Sequence, residues 1–315
     1  MGEAVGAIDV FYPRAGEVDS PCGIIAAGGD VWFTSIANGR VGRVRAADWR
    51  VETFADPHGR VRLPANIFPG ADGRLWFTCL GSDALAAIDP DAADPAGTIT
   101  LHTHPDLRGP VAIKAAATGL LWFTARGSQA VGSLDPRAHS PTASLRLIRS
   151  ELIADPSALF VDARGLVWWV NAGSGTVGRL DPSSGDPARA VARFGPWPEY
   201  GVPRAWAMDR AGALWLTTRE PPGLMTMDGA GEVSWRTDER LRTPDGVWVA
   251  GDDAVWLADT AANAIVRFDP SVGDWLGFTA PGVAGPFDIK PGPDASALWF
   301  TNKRGGSIGS IRVMG

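Results

Sequence analysis

Two carboxylates and one guanidinium are the groups best placed by type and spacing to do chemistry. Asp245 follows a proline in TPDGVWVA, and Asp259 ends VWLAD fourteen residues later. Arg204 follows another proline in GVPRAWAM. Two close carboxylates push one pKa up and leave the other ionised, which makes an acid/base pair. A nearby arginine favours the ionised forms and can also hold an anionic or carbonyl oxygen. The plainer alternative is an Arg–Asp ion pair with a structural duty. The segment GPWPEYGVP carries Trp197, Glu199 and Tyr200, rigid aromatics with polar tips that suit an apolar ligand. Its alternative is a proline-stiffened loop that packs on its own rings.

The remaining candidates are weaker. Cys22 and Cys79 would need a neighbouring base or cation to act as nucleophiles, and buried small hydrophobes are the simpler expectation. His102 and His104 stand at i, i+2, which sets both rings on one face of a strand. That arrangement suits a metal, or equally a polar edge strand. His58, in DPHGRVRLP, lies in a long connection able to reach a ligand. No metal site is expected. Mg²⁺ would need a set of oxygen ligands, for which Asp245, Asp259 and Asp288 are the only candidates considered.

What must position these groups is a repeat. Trp32, Trp76, Trp122, Trp168, Trp215, Trp256 and Trp299 recur at intervals of 44, 46, 46, 47, 41 and 43 residues, each inside a variant of LWFT. A period near 40–50 residues, rich in Trp and Gly, signals one propeller blade per repeat. The predicted fold is all-β: one seven-bladed β-propeller domain over residues 1–315 with four-stranded blades. In blade 1 the strands are expected at 22–27, 31–35, 41–45 and 51–55, from alternation and Gly/Asp punctuation. The last repeat runs out after its third strand, so the N-terminal strand 7–12 is expected to complete it and remove an open edge.

The topology turns scattered residues into rings. Every repeat has a proline before its inner strand, and the residues after it are Cys22, Ala65, Val111, Ser157, Arg204, Asp245 and Phe287. A second set follows the WFT motif: Ser35, Cys79, Ala125, Asn171, Thr218, Asp259 and Asn302. Propeller ligands gather where such positions converge. The expected catalytic set is therefore Asp245, Asp259 and Arg204. The expected ligand contacts are Trp197, Tyr200, Phe287, Cys22 and Asn302. Arg126, Arg219, Glu220, Lys303 and Arg304 fall in the same connections and read as solvated surface charges.

Bulk properties narrow the partners. A formal net charge of −6 argues against nucleic acid and anionic membrane surfaces. No apolar run approaches the length of a membrane span. The first residues show no basic n-region or apolar h-region, and two cysteines are too few for a disulfide framework. A cytoplasmic monomer with a small-molecule ligand is expected.

The pattern P-x-x-I, an acidic or Gly turn, LWFT and G/N-x-[IV]-G, as in GPFDIKPGPDASALWFTNKRGGSIGSI, resembles the streptogramin B lyase (virginiamycin B lyase) propellers over the whole chain. The resemblance implies a seven-bladed propeller that opens a cyclic depsipeptide by elimination at its ester, with a magnesium ion. It also implies histidines in P-H-x-I of blades 6 and 7 and an acidic residue two before the last. Those positions hold Asp245, Phe287 and Gly285 here, and Cys22 replaces the blade 1 aromatic. The glutamate that follows WFT in the family is absent. The fold is expected to carry over and the metal-dependent streptogramin reaction is not. Two functions remain open: lyase- or hydrolase-type acid/base chemistry on a small or macrocyclic natural product, or non-catalytic binding of a ligand or protein on the same face.

Overall fold

Proline cannot donate to a strand ladder, so it belongs where a strand begins. In this computed structural model, which describes residues 5–294 and 296–313, the inner strand of six repeats starts on the proline. These are Pro21–Ala27, Pro64–Pro69, Pro110–Ala115, Pro156–Val161, Pro244–Val249 and Pro286–Pro291. The fifth, Val202–Met208, starts one residue earlier. Each inner strand opens a four-stranded antiparallel meander. Sheet 1 comprises Pro21–Ala27, Asp30–Ser35, Arg40–Val44 and Val51–Ala55. Sheets 2 to 6 span 64–103, 110–149, 156–194, 202–236 and 244–278. Sheet 7 takes its first three strands from 286–312 and its fourth from Ile8–Phe11, which pairs Ile8 with Ile311 and Phe11 with Ile308. This is the all-β, seven-bladed β-propeller with the N-terminal closing strand that the repeat predicts. The leaderless reading of the N-terminus falls partly on residues 1–4, outside the described residues.

The strand-two motif has a physical reason at each position. The tryptophan is a wedge between neighbouring sheets: Trp76 packs with Ile113 and Phe123, Trp215 with Val247 and Leu257, and Trp256 with Ile289 and Phe300. The turn acid before it accepts the indole N–H, as in Asp72–Trp76 (3.1 Å), Asp162–Trp168 (3.1 Å) and Asp209–Trp215 (3.0 Å). The next ring lies across a glycine on strand three. A Cβ on Gly309 would sit 2.2 Å from Phe300, so the [IV]-G pair keeps the space that ring needs. The Asp-Pro stops close as turns in which Asp89, Asp135, Asp181 and Asp269 each accept the backbone N–H two residues on.

The threonine of WFT is the stitch between sheets. Its hydroxyl donates to the carbonyl of the post-proline residue in the next sheet, and at Thr78, Thr124, Thr217 and Thr301 it also accepts a backbone N–H from its own inner strand. The donated bonds are Thr34 to Ala65 (3.0 Å), Thr78 to Val111 (2.8 Å), Thr124 to Ser157 (2.8 Å), Thr217 to Asp245 (2.8 Å) and Thr301 to Cys22 (3.0 Å). In sheet 6 this position is Ala258, and Thr260 reaches the Pro286 carbonyl instead (2.7 Å). A register shift follows the proline in sheets 2 to 7, for example between Pro244 and Val247. Such bulges re-aim a side chain away from the plain alternation.

Two compact units result. The first holds the described residues up to Phe33, then Gly42–Thr53 and everything from Trp197 on. The second holds Thr34–Val41 and Phe54–Pro196. Sheets 5, 6 and 7 lie in the first unit and sheets 2, 3 and 4 in the second.

Candidate functional site

The first unit assembles a charged cluster from three successive sheets, 5 to 7, with Cys22 of the inner strand Pro21–Ala27 beside it. The stitch from Thr217 fixes the Asp245 carbonyl, and its side chain is 4% exposed. The Arg219 guanidinium donates from Nη2 to Asp245 Oδ1. Thr260 Oγ1 lies 2.6 Å from Asp245 Oδ2 and 2.7 Å from the Pro286 carbonyl, between the two acceptors. Arg204 Nε is 4.0 Å from Asp245 Oδ1. Two guanidiniums thus converge on one buried carboxylate. Both are about one-third exposed.

Backbone contacts explain how these groups meet. Arg219 ends the strand Leu214–Arg219 and stands opposite Val202, two residues before Arg204. Gly201 has φ +82°, and a Cβ there would lie 2.3 Å from the Arg219 carbonyl, so only glycine allows this approach. At Gly246 a Cβ would lie 2.5 Å from the Phe287 carbonyl, so the inner strands of sheets 6 and 7 nearly touch beside Asp245.

Phe287 and Lys303 form the next wall. The Lys303 ammonium sits 4.1 Å from the Phe287 ring centroid, a cation–π contact. Asp288 accepts from Lys290 Nζ (2.6 Å) and from the backbone N–H groups of Ile289 (3.0 Å) and Ile24 (3.3 Å). The last bond ties sheet 7 to sheet 1. Cys22 is buried here, and burial pushes its thiol up to about 12; Lys303 opposes that while Asp288 and Asp245 add to it. The thiol is therefore held protonated and is a poor nucleophile at neutral pH.

Other expected contributors are placed elsewhere. The Asp259 carboxylate, fully buried, accepts from the backbone N–H groups of Arg242 (2.7 Å), Thr243 (2.9 Å) and Ala262 (3.0 Å). It clamps the connection that enters sheet 6, and it shares no partner with Asp245. Asn302 does the same in sheet 7, accepting from Ala284 N–H (3.2 Å) and donating to Ser307 Oγ (3.1 Å). Asn171 repeats the device in sheet 4. Tyr200 stacks on Trp235 (5.9 Å, 9°), which lies on the outermost strand of sheet 5, the edge opposite Arg204. Trp197 is half-buried, and its carbonyl accepts the Tyr200 N–H. Tyr200 thus packs on its own sheet.

The second unit absorbs the remaining candidates. Cys79 is buried, and burial raises its pKa strongly. His102 packs at a tilt against Trp76 (4.7 Å, 31°) and contacts Thr142 Oγ1 (3.1 Å), and burial and Arg74 lower its pKa. His104 instead accepts the Asp106 N–H in the turn beyond the strand. The two rings are spent on separate jobs. Among the described residues no group of three His, Cys, Asp or Glu is placed to hold a metal. Asp56, beside His58, is bound by Arg60 Nε (3.0 Å) and Nη2 (2.8 Å), and these bonds hold its carboxyl down to about 2.

Arg219, Thr260, Lys290 and Lys303 are the members sequence reasoning missed. The readable signal was that sheet 5 runs on into TTR where its counterparts break into turns.

The profile of the Virginiamycin B lyase family matches residues 3–195, more than half of the chain. The chain belongs to this family. No curated protein sequence matches it. Among solved structures, a catalytically inactive variant of virginiamycin B lyase from Staphylococcus aureus with quinupristin is 18% identical. It has a TM-score of 0.83, with 98% of this chain and 99% of that one covered. A streptogramin B lyase structure is also 18% identical, with TM-score 0.82 and coverage of 98% and 97%. YCF48 bound to D1 peptide is 12% identical, with TM-score 0.73 and coverage of 98% and 99%. At these identities the likeness shows the propeller fold alone. In this virginiamycin B lyase family member, Asp245 and Phe287 occupy the positions where the resemblance implies histidines. No helix among the described residues is long and apolar enough to cross a membrane.

Proposed function

We propose that this propeller binds a small or macrocyclic natural product at the Asp245 cluster, with Arg204 meeting an oxygen of the ligand and Phe287 its apolar part. The observation that carries this reading is the convergence of Arg204 and Arg219 on the single carboxylate of Asp245. A guanidinium fixed by a buried carboxylate is pre-organised, so less is lost when it meets a ligand. Tyr200 and Asn302 are left out of this ligand set, because their side chains are engaged internally. A monomer in the cytoplasm fits two buried, unpaired thiols.

The second reading is lyase-type acid/base chemistry by Asp245, and family membership is what favours it. Asp259 takes no part in it, because its oxygens are engaged by backbone. A thermal-shift screen of metabolites and cyclic peptides, with mass spectrometry of every binder, separates the two. Binders recovered unaltered support recognition, and altered ones support catalysis. If catalysis is found, Asp245→Asn lowers turnover by about 10²–10⁴-fold. Binding that Arg204→Ala leaves untouched would remove the site assignment.

A further inference from the structure

Resting on that binding reading, we propose that Thr260 is the positioning residue of the site: its one hydroxyl proton, contested by the Asp245 carboxylate and the Pro286 carbonyl, couples the state of Asp245 to the setting of Phe287. Arg219, Thr260 and Lys303 each stand two residues past the stitch position of their sheet, 217, 258 and 301. In sheet 5 the two positions divide the work. Thr217 donates to the Asp245 carbonyl, and Arg219 serves the Asp245 carboxylate. In sheet 7 they divide it again, with Thr301 bonded to the Cys22 carbonyl and Lys303 lying over Phe287. In sheet 6 the stitch position is Ala258, so both tasks fall on the Thr260 hydroxyl.

A hydroxyl has one proton to give. Asp245 Oδ2 at 2.6 Å and the Pro286 carbonyl at 2.7 Å each lie at the distance of a full O–H···O bond. One proton cannot lie on both lines, so the hydroxyl has two settings. The residue itself is held on both sides. The Thr260 N–H donates to the Thr243 carbonyl (3.0 Å), and the Thr260 carbonyl accepts from Arg304 Nη2. A charged acceptor makes the stronger bond, so the resting setting is toward Asp245. A ligand N–H or O–H that takes over Asp245 Oδ2 releases the proton to Pro286. That carbonyl belongs to the peptide that carries the Phe287 N–H, so engaging the carboxylate fixes the peptide that leads into the aromatic wall. The inner strands are already close at this point, with a Cβ on Gly246 lying 2.5 Å from the Phe287 carbonyl.

The test is NMR of the full-length protein labelled with carbonyl-13C proline and 15N phenylalanine. Pro286–Phe287 is the only Pro-Phe step in the sequence, so a single carbonyl–amide cross-peak reports the Pro286 carbonyl. A hydrogen bond gained there moves the carbonyl resonance downfield. In Asp245→Asn the Arg219 bond keeps the amide oxygen at the Oδ1 place, which sets the amide N–H groups toward Thr260 and turns its proton to Pro286. The cross-peak should therefore move downfield in Asp245→Asn. Thr260→Val added to that variant should cancel the move, and Thr260→Ser should preserve it. Thr260→Val alone should move the peak little, and Thr260→Ala takes its place if the valine variant does not fold. A peak that stays put in Asp245→Asn, or moves as far in the double variant, overturns the proposal. So does an upfield move on Thr260→Val alone, which would make Thr260 a plain stitch like Thr217. The same cross-peak, followed with each binder from the metabolite and cyclic-peptide panel, keeps the two readings apart. A binder lost in Arg204→Ala should move it downfield; one that leaves it unmoved overturns the coupling while the binding reading stands. If no panel member binds in an Arg204-dependent way, the binding reading falls and the variant shifts alone decide the shared proton.

Discussion

The post-proline positions of the first unit are Cys22, Arg204, Asp245 and Phe287; those of the second are Ala65, Val111 and Ser157. The same scaffold serves both. Thr217 holds the carbonyl of Asp245 as Thr124 holds that of Ser157, each at 2.8 Å. The wedge tryptophans and turn acids also recur in both. What differs is the side chain mounted there: uncharged and non-aromatic at Ala65, Val111 and Ser157, but charged or aromatic at Arg204, Asp245 and Phe287, with the small Cys22 the exception in the first unit. Backbone order is therefore built by shared motif residues, and chemistry is added at positions whose backbone is already fixed. This is how a repeat fold changes its ligand without losing its stability.

The sharpest way to break the comparison is at Asp245. Replacement by alanine leaves two guanidiniums beside a buried, uncompensated site and should cost about 3 kcal/mol in chemical denaturation. Ser157→Ala in the second unit should cost less than about 0.5 kcal/mol. Equal losses would mean that the two sets of positions carry equal loads. Next is Asp259→Ala, which strands three backbone N–H groups; about 2 kcal/mol is expected, with ligand affinity preserved. A loss of affinity without a loss of stability would return Asp259 to the site.

The stitches sharpen the contrast further. Thr124→Val and Thr217→Val should each cost about 1 kcal/mol, but only the second should weaken ligand binding, because only its acceptor carries a charged side chain. Identical binding in both variants would detach the stitch from the site.

The smallest effects are in pH and belong to the second unit. Asp56 has a folded pKa of about 2, below its ordinary value of 3.8. Its contribution is therefore complete above the unfolded value and disappears as pH falls from about 4 through 2. Arg60 is nearly half exposed, so solvent screening keeps the effect below that of the stitches. His102, also depressed, contributes above its unfolded pKa and loses that contribution as pH falls through the lower folded value. Asp56→Asn and His102→Phe should each flatten their part of an acid stability curve. Unchanged curves would show that these groups do not carry the dependence.

Much of the fold was legible because periodicity reports burial. The seven tryptophans, the prolines and the Asp-Pro stops each answer a local demand of a strand, a wedge or a turn, and local demands can be read from neighbours in sequence. The closing strand was readable from the missing fourth strand of the last repeat. The site was legible only in outline. Asp245 and Asp259 look alike on the page, yet one faces two arginines and the other accepts three backbone N–H groups. Most of the deciding contacts come from residues distant in sequence, Arg204 and Arg219 in the preceding sheet for Asp245 and the entry loop at 242–243 for Asp259, with Ala262 the near exception. Tyr200 was misplaced for the same reason: its partner Trp235 lies three strands across the sheet. Arg219 was passed over as a surface charge because exposure of a long side chain says little about where its tip points.

The pairing of Ile8–Phe11 with Ile308–Ile311 has a consequence for biosynthesis. The ribosome makes the 8–11 edge of that ladder before all of the first six blades and the 308–311 edge after them. A nascent chain halted before residue 307 leaves the early segment without its mate and the seventh blade unbuilt. Synthesis through residue 312 is therefore what lets this blade close.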